Sequence, residues 1–230
     1  MLTGIMKCKV YKPELLDCPI CKSKLKYAYA TSNKVVQFSK GNKVRIKNLA
    51  YHCLECNNKI TYISNTANKL SFKGYSYSSK VICLIDYYKS SHLSRDKICD
   101  LLEAKGIDIS DRNIDIIAKM FVEYLDMDYD KKIRDAYEEM LKTYTEIRLS
   151  IDCIRVAEVA YVIYYNYFTG EILAIWKFTN DADIEFMLRK YLSITDKITT
   201  IITVRPGRKL YNILKEIADE KIRFVSYEKF

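Results

Sequence analysis

An α+β, multidomain fold is predicted by three observations. Two Cys-x-x-Cys pairs near the N-terminus flank a stretch that alternates like β structure. A middle stretch carries apolar residues at helical spacing behind serine caps. From about residue 146 the period becomes that of strands interleaved with helices. The modules so defined are residues 1–75, 76–127, a linking helix over 128–145, and 146–230. A chain of 230 residues has room for two or three small domains, and its 6 Gly and 3 Pro leave little for flexible linkers.

In the first module, Cys18-Pro-Ile-Cys21 and Cys53-Leu-Glu-Cys56 each place two thiolates where they can converge on one tetrahedral ion. The expected metal is a structural zinc ion bound by Cys18, Cys21, Cys53 and Cys56, since four cysteines leave no open position for chemistry. Between the pairs lie 31 residues, more than the usual spacer of about 15–20. They read as a hairpin, Lys34–Phe38 and Lys43–Leu49 around a turn at Ser39–Asn42, so the module is expected to be a β zinc ribbon. His52, beside Cys53, is a further possible ligand. Cys8, Cys83, Cys99 and Cys153 have no partner at ligand spacing, and the last three sit in apolar runs that suit a core.

Charge is concentrated in the same region. The chain carries +9 overall, yet residues 1–80 hold 15 Lys and Arg against Glu14, Asp17 and Glu55, a balance of +12, and the remainder is at −3. Such asymmetry points to a polyanion, and Lys43, Arg45 and Lys47 in the hairpin are candidate DNA contacts; the plainer alternative is a solubilising surface. No run approaches the ~20 apolar residues of a membrane span, and residues 1–12 lack the pattern of a signal peptide. The expectation is a cytoplasmic protein with no membrane partner, whose paired cysteines serve metal rather than disulfides.

The middle module predicts three helices. The first covers about Lys80 to Ser90. The second starts behind Ser94 and stops near Gly106. The third starts behind Ser110 with Ile114, Ile117, Ala118, Phe121 and Leu125 on one face. Two short helices around a glycine-containing turn, after another helix, suit a helix-turn-helix. In that arrangement Arg112 and Asn113 would meet base edges and Lys119 a phosphate. A plain three-helix bundle fits the spacing equally well. A further helix, Tyr129 to Tyr144, links this segment to the next.

The third module predicts strands at 148–156, 157–165 and 172–178, with a turn at Phe168-Thr-Gly170. A helix at 181–192, a buried strand at 197–203, a helix at 210–218 and a last strand at 222–225 complete it.

Three pieces of sequence, in this order, resemble insertion-sequence transposases of the DDE type. Ser94–Ser110 is similar to the family's helix-turn-helix. Ser150-Ile-Asp152 is similar to the strand bearing its first catalytic aspartate. Tyr161–Ala174 is similar to its second and third strands with their Thr-Gly hairpin. The resemblance spans most of the chain and implies a partial RNase H-like α/β domain at 146–230. It also implies a chemistry in which three carboxylates hold two divalent ions. Asp152 matches the first carboxylate. At the second the family has Thr-Asp-Gly, where this chain has Thr203-Val204-Arg205-Pro206-Gly207; the third, a glutamate beyond the fifth strand, has no counterpart before Phe230. Asp152 is therefore expected to be vestigial and Mg2+ not to be bound. Asp181, Asp183 and Glu185 open a helix and favour its dipole, while Arg205, Arg208 and Lys209 are either phosphate contacts or solvated.

The expected function is accordingly that of a transposase-derived protein that binds double-stranded DNA without catalysis, alone, as a homo-oligomer, or with a full-length transposase relative. Two alternatives stay open: an active metal-dependent transposase or nuclease that completes its site in another way, and a zinc-containing protein-interaction module.

Overall fold

The computed structural model describes residues 6–56, 60–125, 128–204, 208–218 and 223–227. Among these the fold is mixed α/β, with seven helices and two mixed sheets. No helix among them is long and apolar enough to cross a membrane. The chain divides into two compact units, Met1–Glu123 and Tyr124–Phe230.

The first unit opens with strands β1 (Lys7–Tyr11), β2 (Lys26–Gln37) and β3 (Lys43–His52). They form one sheet in the order β1-β3-β2, with β1 parallel and β2 antiparallel to the central strand. Alternation along β3 sorts its side chains: Val44, Ile46, Asn48 and Ala50 are buried, whereas Lys43, Arg45 and Lys47 are exposed. The buried face packs Tyr11, Val36, Val44 and Ile46 on Ala67 of a short helix, α1 (Asn65–Lys69), with Phe38 and Leu70 at the margin. Two polar clasps fix this layer, one buried and one half-buried. Asn48 donates to the Ser64 carbonyl at 3.1 Å and accepts from its amide at 3.0 Å. The Glu14 carboxylate accepts from the Ser64 hydroxyl and from the amides of Asn65 and Thr66. Neither β1 nor α1 stands out in the sequence, because a five-residue segment shows too little period to read.

Three helices follow, α2 (Ser79–Ser90), α3 (Arg95–Glu103) and α4 (Asp111–Leu125). Ser78, Ser94 and Ser110 each accept from the backbone amide three residues on, which satisfies a helix-end donor that would otherwise be orphaned. Their common core includes Val81, Ile82, Ile85, Ile98, Leu102, Ile107, Ile114, Ile117 and Phe121; the side chain of Leu125 lies outside the described residues. Asp115 joins the three helices at the surface, 3.2 Å from Lys89 and 3.0 Å from Arg95.

The sheet and these helices also meet directly. Gly41, in the β2–β3 turn, has φ +77, and a Cβ there would lie 2.8 Å from the Gly106 carbonyl oxygen. Gly106 closes α3 at φ +72, and Gln37 donates to its carbonyl at 2.9 Å. Left-handed backbone favours glycine at both positions, and at Gly41 the backbone-to-backbone approach also leaves no room for a side chain.

The second unit contains α5 (Tyr129–Tyr144), β4 (Ile147–Val156), β5 (Val159–Asn166), β6 (Ile172–Phe178), α6 (Asp181–Leu192), β7 (Ile198–Val204), α7 (Arg208–Ile217) and β8 (Arg223–Tyr227). The sheet order is β6-β5-β4-β7-β8, with β4, β5 and β6 an antiparallel meander and β7 and β8 parallel to β4. Residues Ile147 to Ile151 are buried throughout, as a central strand covered on both faces requires. Ala157 proves to lie in the β4–β5 turn rather than in a strand, at φ +51, with Val156 opposite Val159. Ala-Glu carries none of the usual chemistry of a tight turn, which is why its apolar surroundings read as continuous strand. Tyr137 of α5 is hydrogen-bonded to Tyr164 of β5 at 2.6 Å and donates to the Tyr191 carbonyl of α6 at 3.1 Å. Trp176 packs among Tyr129, Tyr164 and Tyr191.

Candidate metal centre and nucleic-acid face

The two Cys-x-x-Cys segments meet at the open end of the β2–β3 hairpin, one before β2 and one after β3. In the first, the Cys18 amide donates to the Ser23 carbonyl at 2.8 Å and the Lys22 amide returns to the Cys18 carbonyl at 2.9 Å. Lys22 takes a left-handed φ of +63 to close this knuckle. In the second, which follows β3 directly, the Cys56 amide points at the Cys53 sulfur at 3.3 Å. Cys18 and Cys56 are 3.6 Å apart, Cys21 and Cys53 3.4 Å apart, and all four sulfurs lie within 4.8 Å of one another. A tetrahedral ion about 2.3 Å from each thiolate separates the sulfurs by about 3.8 Å, so the set fits one metal ion. Cys18 and Cys53 are buried, and Cys21 faces solvent.

The electrostatics of the cluster favour a cation at its centre. Hydrogen bonds from Ser23, then from Cys56, pull the Cys21 thiol down to about 6. Burial pushes Cys53 up, and the hydrogen bond shared with Cys21, then burial, pushes Cys56 up. Four sulfurs this close cannot all ionise on their own; a divalent ion removes that mutual penalty. Of the other cysteines, Cys83 is buried in the helical core, Cys99 and Cys153 are half-buried, and Cys8 is exposed. The ring of His52 lies against Tyr29.

The candidate DNA contacts fall into two groups. Lys43, Arg45 and Lys47 stand in a row on the open face of the sheet, all exposed, with no ion-pair partner among the described residues. Val10 and Asn33 flank Lys47 in the register, and Cys8 and Val35 flank Arg45. On α4, Arg112 is exposed, Lys119 is 4.0 Å from Glu123, and Asn113 is half-buried against the Tyr77 hydroxyl. Tyr27 is a residue the sequence reading passed over. It is 57% exposed, its ring is edge-on to Tyr51 at 5.9 Å, and it pairs with Tyr51 two alternations beyond Lys47. The bulges near Tyr27 and Ala30 break the alternation that would have marked residues 26–33 as strand.

Asp152 sits in the middle of β4, half-buried, opposite Ile163 of β5. Its carboxylate accepts from the Cys153 amide at 2.9 Å. On the other side Ile151 pairs with Thr203, so the next residue along that register is Val204. Burial, reinforced by Asp152 and Asp181 and opposed by Arg155, pushes the Cys153 thiol up to about 11. Asp181 is ion-paired with Arg155, and Glu185 is 2.7 Å from Arg189. Among the described residues the four cysteines are the one group of three or more Cys, His, Asp or Glu side chains close enough to share an ion. Arg205, Pro206 and Gly207 lie outside the described residues, as do the side chains of Val204, Arg208 and Lys209.

No protein-family model matches the chain, and no curated protein matches it.

Proposed function

We propose that this chain is a DNA-binding protein derived from a DDE-type transposase. A zinc-bound ribbon and a helix-turn-helix hold the DNA, and an RNase H-like sheet does no strand transfer. The observation that carries the DNA reading is the exposed row Lys43, Arg45 and Lys47, whose charge no carboxylate among the described residues offsets. Lysine and arginine that displace counterions from phosphate give sequence-independent affinity, and Arg112 and Lys119 on α4 add to it.

Zinc is the metal favoured for the four-thiolate set, since such sites are tetrahedral and closed. The RNase H-like reading draws support from the strand order, an antiparallel meander whose first strand is joined on its other side by two parallel strands. The inactive reading draws support from Val204, a side chain without oxygen at the residue beside Asp152 where the family's second carboxylate belongs. A zinc-containing protein-interaction module is favoured by one observation, the exposure of Leu54 (70%) and Ile20 (39%) inside the two Cys-x-x-Cys pairs.

The test is titration of zinc-loaded protein with duplex DNA across a salt series, with Mg2+ or Mn2+ present and the products resolved by length. Affinity that falls with salt while the DNA stays intact is the expected result. Metal-dependent cutting that Asp152→Ala abolishes would establish the enzyme reading instead. Absence of binding at every salt concentration leaves the protein-interaction reading.

A further inference from the structure

The open face of the β1-β3-β2 sheet combines two kinds of side chain. Lys43, Arg45 and Lys47 occupy alternate positions of the central strand and therefore project from the same side. Continuing that alternation reaches Leu49, half-buried, and Tyr51, buried; Tyr27, paired with Tyr51 and edge-on to it, lays its exposed ring over that end of the row. From Lys43 to Tyr51 the strand spans about 27 Å at its usual rise. The row begins at the hairpin turn, which is seated against the end of α3, so the hairpin cannot enter a groove tip-first. What remains accessible is the face itself, flanked by Val10 (56% exposed) and Asn33.

A row of cations ending in an exposed aromatic ring is complementary to one kind of polymer. Cations spaced along a strand follow a phosphate backbone, and a tyrosine ring offers a flat surface on which a base can stack. Bases within a duplex are stacked on each other and cannot reach that ring, whereas an unpaired base can. A protein surface would have to offer a carboxylate row and gains little from the tyrosine.

We infer that this sheet face binds a single strand of DNA, its phosphates along Lys43, Arg45 and Lys47 and an unpaired base on Tyr27. The inference rests on the DNA-binding reading and narrows it, giving the ribbon the unpaired strand and leaving the duplex to the helices. The single strand would be a frayed or processed end next to the duplex held by α4.

The test uses the full-length, zinc-loaded protein and two fluorescent probes, an oligo(dT) of about twelve nucleotides, enough to cover one such site, and a duplex. Anisotropy is read across a salt series. Wild-type protein is expected to bind oligo(dT). The triple variant Lys43→Ala, Arg45→Ala, Lys47→Ala should lose most of that affinity, and its salt slope should shrink by about two, at roughly 0.7 per phosphate contact. Tyr27→Ala should weaken oligo(dT) binding about tenfold, within the range for one stacked base, at unchanged slope and with duplex affinity retained; Tyr27→Phe should restore it. Retained duplex affinity also shows that the variant is folded.

Oligo(dT) binding that neither set of substitutions weakens overturns the inference. So does a wild-type protein that binds duplex but not oligo(dT), an outcome that leaves the DNA-binding reading standing. Failure to bind either probe removes both.

Discussion

The Cys18–Cys56 cluster and the Asp152 region pose the same question, whether residues distant in sequence converge on a shared ion, and answer it differently. Around the knuckles, 31 intervening residues fold into a hairpin that returns the second pair to the first, and four donor atoms come within 4.8 Å. Around Asp152 the sheet also returns, and it brings β7 alongside β4, yet what arrives next to the carboxylate in the register is a valine. The lesson is that topology supplies proximity and residue type supplies chemistry. Parallel pairing of β7 with β4 sets position 204 beside Asp152, and valine carries no oxygen to offer an ion.

The largest expected effect separates the two regions. On the zinc reading proposed above, structural zinc in small modules contributes on the order of 10 kcal/mol, so removing it with a strong chelator, or replacing Cys53 by serine, should release the knuckle end of the β2–β3 hairpin. Hydrogen exchange at the β3 amides should then accelerate by orders of magnitude, while exchange at the β4 amides stays as it was. Equal acceleration in both strands would show that the metal supports more of the chain than the cluster's position implies. The converse experiment is Ile151→Ala. Ile151 is fully buried in β4, and truncation there should cost about 2–5 kcal/mol. Zinc stoichiometry should be unchanged, which a colorimetric zinc assay on the purified variant checks.

Gly41→Ala comes next. It puts a Cβ 2.8 Å from a backbone oxygen at a φ that alanine disfavours, and a destabilisation of about 2–3 kcal/mol is expected. Urea unfolding followed at the ribbon measures it. A neutral result would mean that the seat of the hairpin on α3 adapts freely.

Much of this was legible in the sequence, and the exceptions have physical causes. The knuckles, the serine-capped helices and the strand–helix alternation after residue 146 are local patterns, and local patterns survive in one dimension. β1 was not legible because Lys-Cys-Lys-Val-Tyr is mostly polar and acquires its role only by pairing with β3. Glu14 looked like one of three scattered acids; its work as the partner of the Ser64 hydroxyl and the α1 amides exists only once residues 14 and 64 are adjacent. Tyr27 was hidden by two bulges. At the candidate site, the four cysteines whose sulfurs come together could be named from spacing. The row formed by Lys43, Arg45 and Lys47 with Tyr27 could not, because it depends on which face of the sheet the core covers.

The smallest expected effect compares two aspartates that clasp helices, Asp115 in the first unit and Asp130 in the second. Hydrogen bonding from Lys89, then from Arg95, holds the Asp115 carboxyl below its ordinary value. Tyr191, at 2.5 Å, and then Lys190, at 3.0 Å, do the same for Asp130. A folded-state value below the unfolded one means that each clasp contributes fully above about pH 4 and is lost as the pH falls through the folded value. The second clasp has an alkaline limit as well. Lys190 is raised chiefly by its hydrogen bond to Asp130, and Tyr191 by burial and then by Asp130. A raised value adds stability below the unfolded pKa that is lost as the pH climbs through the folded one. The carboxylates of both clasps are solvent-exposed, so each should move the thermal midpoint only slightly. Asp115→Asn should flatten the fall in midpoint between about pH 6 and pH 3 and leave the alkaline side alone. Asp130→Asn should flatten both limbs, since it removes the charge that raises Lys190. An alkaline limb unchanged in Asp130→Asn would mean that Asp130 does not raise Lys190 and that Tyr191 owes its shift to burial alone, and the two clasps would then be alike.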